Sequence, residues 1–141
     1  RNYGMYFLFD QMLIPGEGNK GLGAFFQVGG VPGDRNEVDF YVGGGVHYQG
    51  IVPSREDDVL GLAVAHASIS GNLRDAEDVA ESDGSTYHSK DKHETVVELT
   101  YKSQITPWLS IQPGVQTVFN PGADSSLDDA VISILRFQIN F

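Results

Sequence analysis

The sequence predicts an all-β protein, an antiparallel transmembrane β-barrel, on three observations. Runs of about ten residues alternate apolar and polar along most of the chain and are punctuated by turn residues. Glycine (17), phenylalanine (8) and tyrosine (6) are abundant, which favours strands and tight turns over helices. No stretch of about eighteen apolar residues exists, so a transmembrane helix is excluded. A mean hydropathy of -0.19 alone would suggest a water-soluble protein. A barrel wall, however, places its apolar residues at every second position, where an average conceals them.

The first segment, Tyr3 to Leu13, is apolar on both faces, and its register stays open. In the second, Leu22, Ala24, Phe26 and Val28 oppose Gly23, Phe25 and Gln27. In the third, Val38, Phe40, Val42, Val46 and Tyr48 oppose Asp39, Tyr41, His47 and Gln49. Residues 58–70 are less regular, because Leu60, Leu62 and Val64 lead to His66 on the same face; a bulge or an exit from the membrane would explain the break. Val97, Leu99 and Tyr101 then oppose Val96, Glu98, Thr100 and Lys102. Ile111, Pro113, Val115, Thr117 and Phe119 oppose Ser110, Gln112, Gly114, Gln116 and Asn120, with Pro113 weakening the strand or marking a bulge. The last segment is the clearest. Val131, Leu135, Phe137, Ile139 and Phe141 share one face, interrupted only by Ser133, and Arg136, Gln138 and Asn140 share the other. A slip of one residue would put Arg136 into hydrocarbon, so this register is well determined.

The connections fall into two kinds. Pro15–Lys20, Gly50–Asp57 and Thr106–Pro107 are short, whereas the link at Asn72–Lys92 is long and acidic, and Gly29–Glu37 and Asn120–Asp129 are intermediate. Short and longer links alternate, as they must if one barrel end carries turns and the other loops. Seven segments make an odd count, while bacterial single-chain barrels use even numbers. The expectation is that residues 1–141 are the C-terminal part of one barrel domain whose N-terminal portion is missing. With the C-terminus at the periplasmic rim, an odd number of strands must precede the first segment. The chain begins at Arg1 with no charged stretch leading into an apolar one, so any signal peptide is expected to be removed or to lie outside it.

Composition narrows the function. The net charge of -10 disfavours nucleic-acid phosphates and anionic lipid surfaces, both of which call for a basic face. The absence of cysteine removes disulfides and zinc thiolates and agrees with an oxidising compartment. The run Gly16-Glu17-Gly18-Asn19-Lys20-Gly21 fits G-x-G-x-x-G by letter, but a strand follows it where a nucleotide site needs a helix, so it reads as a turn. Asp75, Glu77, Asp78, Glu81 and Asp83 crowd one loop that could hold Ca²⁺ or bridge to lipopolysaccharide; without the EF-hand spacing, a solvated loop is the plainer reading. His47, His66, His88 and His93 show no ligand spacing, and no nucleophile elbow or acid/base pair is present. No metal, no cofactor and no enzymatic activity are expected.

Several short runs resemble a known family. Glu98-Leu99-Thr100-Tyr101, Ile105-Thr106-Pro107-Trp108-Leu109, Gln112-Pro113, Gln116, Asn120-Pro121-Gly122 and Leu135-Arg136-Phe137 look like the C-terminal signature of carbohydrate-selective porins of the OprB type. Asp10-Gln11, Gly21-Leu22-Gly23-Ala24-Phe25, Pro53-Ser54-Arg55 with Asp58, and Leu60-Gly61-Leu62 fit the same pattern. The resemblance implies a sixteen-stranded barrel in the outer membrane of Gram-negative bacteria that passes glucose and other sugars. It also implies that Phe141 is the terminal aromatic read by barrel-assembly machinery. The chain is far shorter than that family's members.

A passive pore selects through its diameter and the groups lining it. The alternation points Asp39, Tyr41, Gln49, Glu98, Gln112, Gln116, Arg136 and Gln138 inward, where amides and charges can meet hydroxyls and Tyr41 can offer an aromatic face. The plainer reading is that these groups solvate a wet lumen and pair with one another. Arg136 opposite an acidic partner is the best candidate for a constriction, because a guanidinium fork can grip adjacent hydroxyls. Arg55 and Asp58 are expected to pair and hold a periplasmic turn. Tyr101, Trp108 and Phe141 suit an aromatic girdle at the inner interface. The favoured function is passive diffusion of sugars and small solutes. The rivals are a structural or plugged barrel and a soluble glycan-binding β-domain. Lipid, lipopolysaccharide, assembly machinery and other copies of the chain are the expected partners.

Overall fold

The computed structural model describes residues 2–34, 36–70, 93–124 and 126–141. These form seven strands: β1 (Met5–Pro15), β2 (Gly21–Gly30), β3 (Val38–Gln49), β4 (Val59–Ile69), β5 (His93–Thr106), β6 (Leu109–Phe119) and β7 (Ala130–Ile139). They make one sheet in chain order, each strand antiparallel to its neighbour. Strand lengths of 10 to 14 residues suit a tilted crossing of a bilayer, which takes about 9–11.

The sheet is a single layer with its apolar side chains outward. Phe26, Phe40, Val46, Leu62, Val64, Leu99, Val115, Phe119, Leu135, Phe137 and Ile139 are all exposed, and the register places them on one face. The other face is more enclosed: Gly43, Ser110 and Val118 on it are buried although, among the described residues, no second layer covers them. Among the described residues the only buried apolar side chains are Ile69, Val118 and Ala123. A water-soluble sandwich needs two inner faces interdigitating. This fold instead offers its apolar face to lipid, which is the wall of an outer-membrane barrel.

Some local details differ from the sequence reading. β1 pairs along its length with β2, shifting register at Leu13, and so places Tyr6, Leu8 and Asp10 on the enclosed face with Phe25 and Gln27. No bulge breaks β4 at His66: the strand stays in register with β5 through Ser68. His66 sits close to the end of β4, where its Nδ1 lies 2.8 Å from Thr95 Oγ1 and its ring centroid 5.0 Å from that of His93. A polar pair near a strand end meets interface rather than hydrocarbon, which removes the conflict that suggested a bulge. Pro113 leaves β6 in the middle of the sheet. Ladder pairing to β5 lapses between Thr100↔Gly114 and Ser103↔Ile111 with no shift, since two residues are skipped on each strand. The ladder does skip a residue at Asp39 in β3 and at Ile105 in β5.

The β1–β2, β3–β4 and β5–β6 connections emerge at the end near Phe141, here the turn end; the others emerge at the loop end. The β3–β4 connection, residues 50–58, is longer than a simple turn because it carries structure of its own, a bridge from Val52 to Arg55. The acidic segment 72–92, with Asp75, Glu77, Asp78, Glu81, Asp83 and His88, lies outside the described residues. In the β6–β7 loop a short 3-10 turn, Pro121–Ala123, folds back on the wall, and Gly122 N donates to Glu94 Oε2 at 2.6 Å.

Candidate functional site

Directly paired residues share a face, so the ladders resolve the inner wall into rows running across the strands. One row reads Asp10, Phe25, Gly45, Ala63, Glu98, Gln116 and Ile132, from β1 to β7. The next row toward the turn end reads Met12, Gly23, His47, Gly61, Thr100, Gly114 and Ile134. Toward the loop end follow Gln27, Gly43, Ala65, Val96, Val118 and Ala130. The inner wall is therefore uneven: β3 and β4 contribute mainly glycine and alanine, while β5 to β7 carry the long polar side chains.

Glu98 is the hub of the polar half. Gln116 Nε2 donates to its Oε2, and Arg136 Nη1 reaches Oε1 at 3.3 Å from two strands away. Gln112 pairs directly with Arg136. The structure thus gathers four of the residues singled out from the sequence into one patch. Both carboxylate oxygens are engaged and both partners are part-exposed, so the patch shows donors and acceptors in fixed alternation.

The remaining candidates are dispersed. Tyr41 lies toward the loop end, where its hydroxyl accepts from Gln27 Nε2 at 2.7 Å and covers Gly43. Asp39 sits at the ladder skip, with its carboxylate against Gly33 in the loop rather than on the open wall. Gln49 ends β3 beside Val59, and Gln138 donates to Asn140 Oδ1 at 3.2 Å, both at the turn end.

Arg55 and Asp58 belong to a separate cluster below the pore wall. Asp58 is 1% exposed. It accepts from Arg55 Nε at 2.5 Å, from the Tyr101 hydroxyl at 2.5 Å and from the Gln104 amide at 2.9 Å. Arg55 Nη2 also donates to Ser103 Oγ at 2.5 Å. Burial pushes the Asp58 carboxyl up, but these three donors outweigh it and hold it below the usual carboxylate range. Hydrogen bonding to Asp58, and then its charge, raises the Arg55 guanidinium. Lys20 pairs with Glu56 at 2.8 Å, and that contact raises its ammonium, tying the β1–β2 turn to the β3–β4 connection. The cluster anchors the 50–58 segment to β5. Trp108 is exposed on the β5–β6 turn, its carbonyl accepting from Asn140 N at 2.9 Å, and Phe141 is exposed beside that turn end.

Two features of the inner wall were not among the lining candidates that the sequence singled out. Phe25 occupies an inward position, between Gly23 and Gln27; an aromatic on the polar face was the signal. The Cε1 edge of its ring lies over Gly45, and the His47 ring lies over Gly23. Beside them is a concavity of about 230 Å³ bounded by Phe25, His47, Glu98 and Thr100 over Gly61 and Ala63. Larger hollows near Tyr6 and Asp39, and near Leu99 and Leu135, lie at the loop end and on the outer face. Among the described residues no cluster of three or more histidines and carboxylates could hold a metal ion.

Comparison with known proteins gives the wall its context. The chain is 26% identical over 133 residues to Porin B of Pseudomonas aeruginosa, covering 89% of this chain and 29% of that protein. It is 26% identical over 143 residues to the putative porin QuiX of Acinetobacter baylyi, covering 93% and 32%. The solved structure of Pseudomonas putida OprB at high pH superposes with a TM-score of 0.92 at 25% identity, covering 99% of this chain and 36% of that one. The chain thus spans about a third of the length of these relatives. The model of the carbohydrate-selective porin, OprB family matches residues 1–141, and so this wall, whose outward face is apolar and whose inward face carries the Glu98 patch, belongs to an outer-membrane porin of the OprB family.

Proposed function

We propose that the barrel to which this chain contributes is a passive pore for sugars and other small polar solutes. One observation carries the reading: Glu98, Gln116 and Arg136 form a matched acceptor–donor patch on the inner wall, flanked by Gln112 and on the face opposite the apolar one. Sugar hydroxyls exchange hydrogen bonds with such a patch at little net cost, so entry is favourable and exit is not blocked. Tyr41, toward the loop end, and Gln49 and Gln138, at the turn end, line the approaches above and below. The family's name and the printed name of Porin B support a carbohydrate channel.

Residues 1–141 are read as part of a single barrel domain. Backbone groups on the outer edges of β1 and β7 would cost several kcal/mol each if left unpaired in lipid, so further strands close the cylinder. Short turns near Phe141 mark that end as periplasmic. Phe141 is then the aromatic that assembly machinery would read, while Tyr101, Trp108 and Phe141 sit at headgroup level. Outer-membrane lipid and lipopolysaccharide surround the wall, and association with further copies is compatible with it.

The test is liposome swelling. The intact barrel, reconstituted in vesicles, should admit glucose and arabinose faster than a disaccharide of twice the mass. An intact, heat-modifiable barrel that admits none of them would be a plugged or structural one and would overturn the proposal.

A further inference from the structure

We infer that the concavity between Phe25 and Glu98 is a subsite for one hexopyranose ring. The inference rests on the pore reading above and adds a location and a contact set to it. Phe25 and Glu98 stand on the same row, and only Gly45 and Ala63 separate them. Three strand spacings of about 4.8 Å put their backbones about 14 Å apart. The Phe25 ring leans inward over Gly45, so close that a Cβ there would lie 2.8 Å from its Cε1. The gap that remains, floored by Gly61 and Ala63, holds about 230 Å³, on the scale of one monosaccharide.

The two banks of this trough differ in chemistry. Phe25 presents a π-face, which suits the apolar C–H face of a pyranose. Glu98 presents a carboxylate oriented by Gln116 and Arg136, and Thr100, one row toward the turn end on the same strand, adds a hydroxyl. A ring stacked on Phe25 would turn its equatorial hydroxyls toward these acceptors and donors. Glycine is required at 45 for a physical reason: its Cβ would come within 2.5 Å of the Leu62 carbonyl as well as meeting Phe25. Glycine at 45 therefore leaves room for the ring edge beside the wall.

The experiment uses the complete barrel in planar bilayers, reading the ion current as glucose is added. Glucose should reduce the wild-type current saturably. Phe25→Leu, which keeps bulk and removes the π-face, should raise the half-blocking glucose concentration about fivefold. Ala63→Leu, which fills the floor, should raise it about tenfold or more while leaving the heat-modifiable gel shift of a folded barrel intact. Half-block within twofold of wild type in both folded variants overturns the subsite, even if vesicles still admit sugar. If wild-type vesicles admit no sugar at all, the pore reading fails first. If Ala63→Leu does not fold, Phe25→Leu and Thr100→Val decide alone, and unchanged half-block in both overturns the subsite.

Discussion

The assignment of faces is tested most directly by two neighbouring residues in the middle of β5. Leu99 is half exposed and shares its row with Leu62 and Val115 on the apolar face, while Thr100 faces the lumen between Gly61 and Gly114. Arginine on the lipid face near the midplane costs about 2–4 kcal/mol, and losing the leucine's transfer to hydrocarbon adds about 1–2. Leu99→Arg should therefore weaken folding by about 3–6 kcal/mol, two to four powers of ten in the equilibrium. Thr100→Arg places the same side chain in water and should cost under about 1 kcal/mol. The assay is urea-driven unfolding of the complete barrel in phosphatidylcholine vesicles, followed by the gel shift between folded and heated forms. Equal costs for the two variants would refute the parity of β5, and with it the inward placement of Glu98 and every row built on it.

Four further outcomes follow from the site. Asp58→Ala leaves Arg55, the Tyr101 hydroxyl and the Gln104 amide without their acceptor, and should destabilise the barrel by about 2–3 kcal/mol in the same urea assay. Because the folded Asp58 carboxyl lies below its unfolded value of about 3.9, its contribution is complete above that pH and fades as pH falls through the lower folded value; the gap between wild type and Asp58→Asn should stay constant from pH 8 to about 5 and narrow below about 4. A gap that changes near pH 6 would contradict this. Arg136→Gln should shift the reversal potential in a salt gradient toward cation preference, and Glu98→Gln should shift it toward anions, by charge alone. Gly45→Ala should cost about 1–3 kcal/mol, because its Cβ meets the Leu62 carbonyl and the Phe25 ring; a neutral result in the urea assay would show that the wall yields there.

Most of the architecture was legible because the wall separates two solvents. Wherever hydrocarbon and water press on opposite faces, as along Val131 to Ile139, period-two alternation is strict and fixes the register. It was not legible in β1, where Tyr6, Leu8 and Met12 on the inward side are as apolar as Phe7 and Phe9 on the outward side. At His66 the polarity of the strand end imitated a bulge. The Arg136–Glu98 contact was readable as a pairing of opposite charges on inward positions, but that Gln116 completes it depends on a cross-strand register no single segment reveals. Asp39 lay beyond reach for a similar reason: the ladder skip that takes it off the open wall is made by β3 and β4 together.

The distribution of glycine links the fold to what the pore can do. Nine of the chain's 17 glycines lie inside strands, four in β2, three in β3 and one each in β4 and β6, although glycine weakens an isolated strand. Turn chemistry explains only Gly21, which leaves the β1–β2 turn at φ 152. Close approach explains several: Gly23 makes room for His47, Gly43 for Tyr41 and Gly45 for Phe25, each aromatic lying along the wall instead of across the lumen. A larger residue at any of them would push a ring into the channel and narrow it from this side. In the proposed pore the glycines of β2 and β3 would act on permeation indirectly, by holding the β2–β4 wall thin, while β5 to β7 supply the charges and amides. On the proposed pore reading, selectivity would depend on the contrast between the two halves of the wall. A solute small enough to lie against the thin half meets aromatic faces on one side and the Glu98 patch on the other, and a bulkier one meets the patch alone.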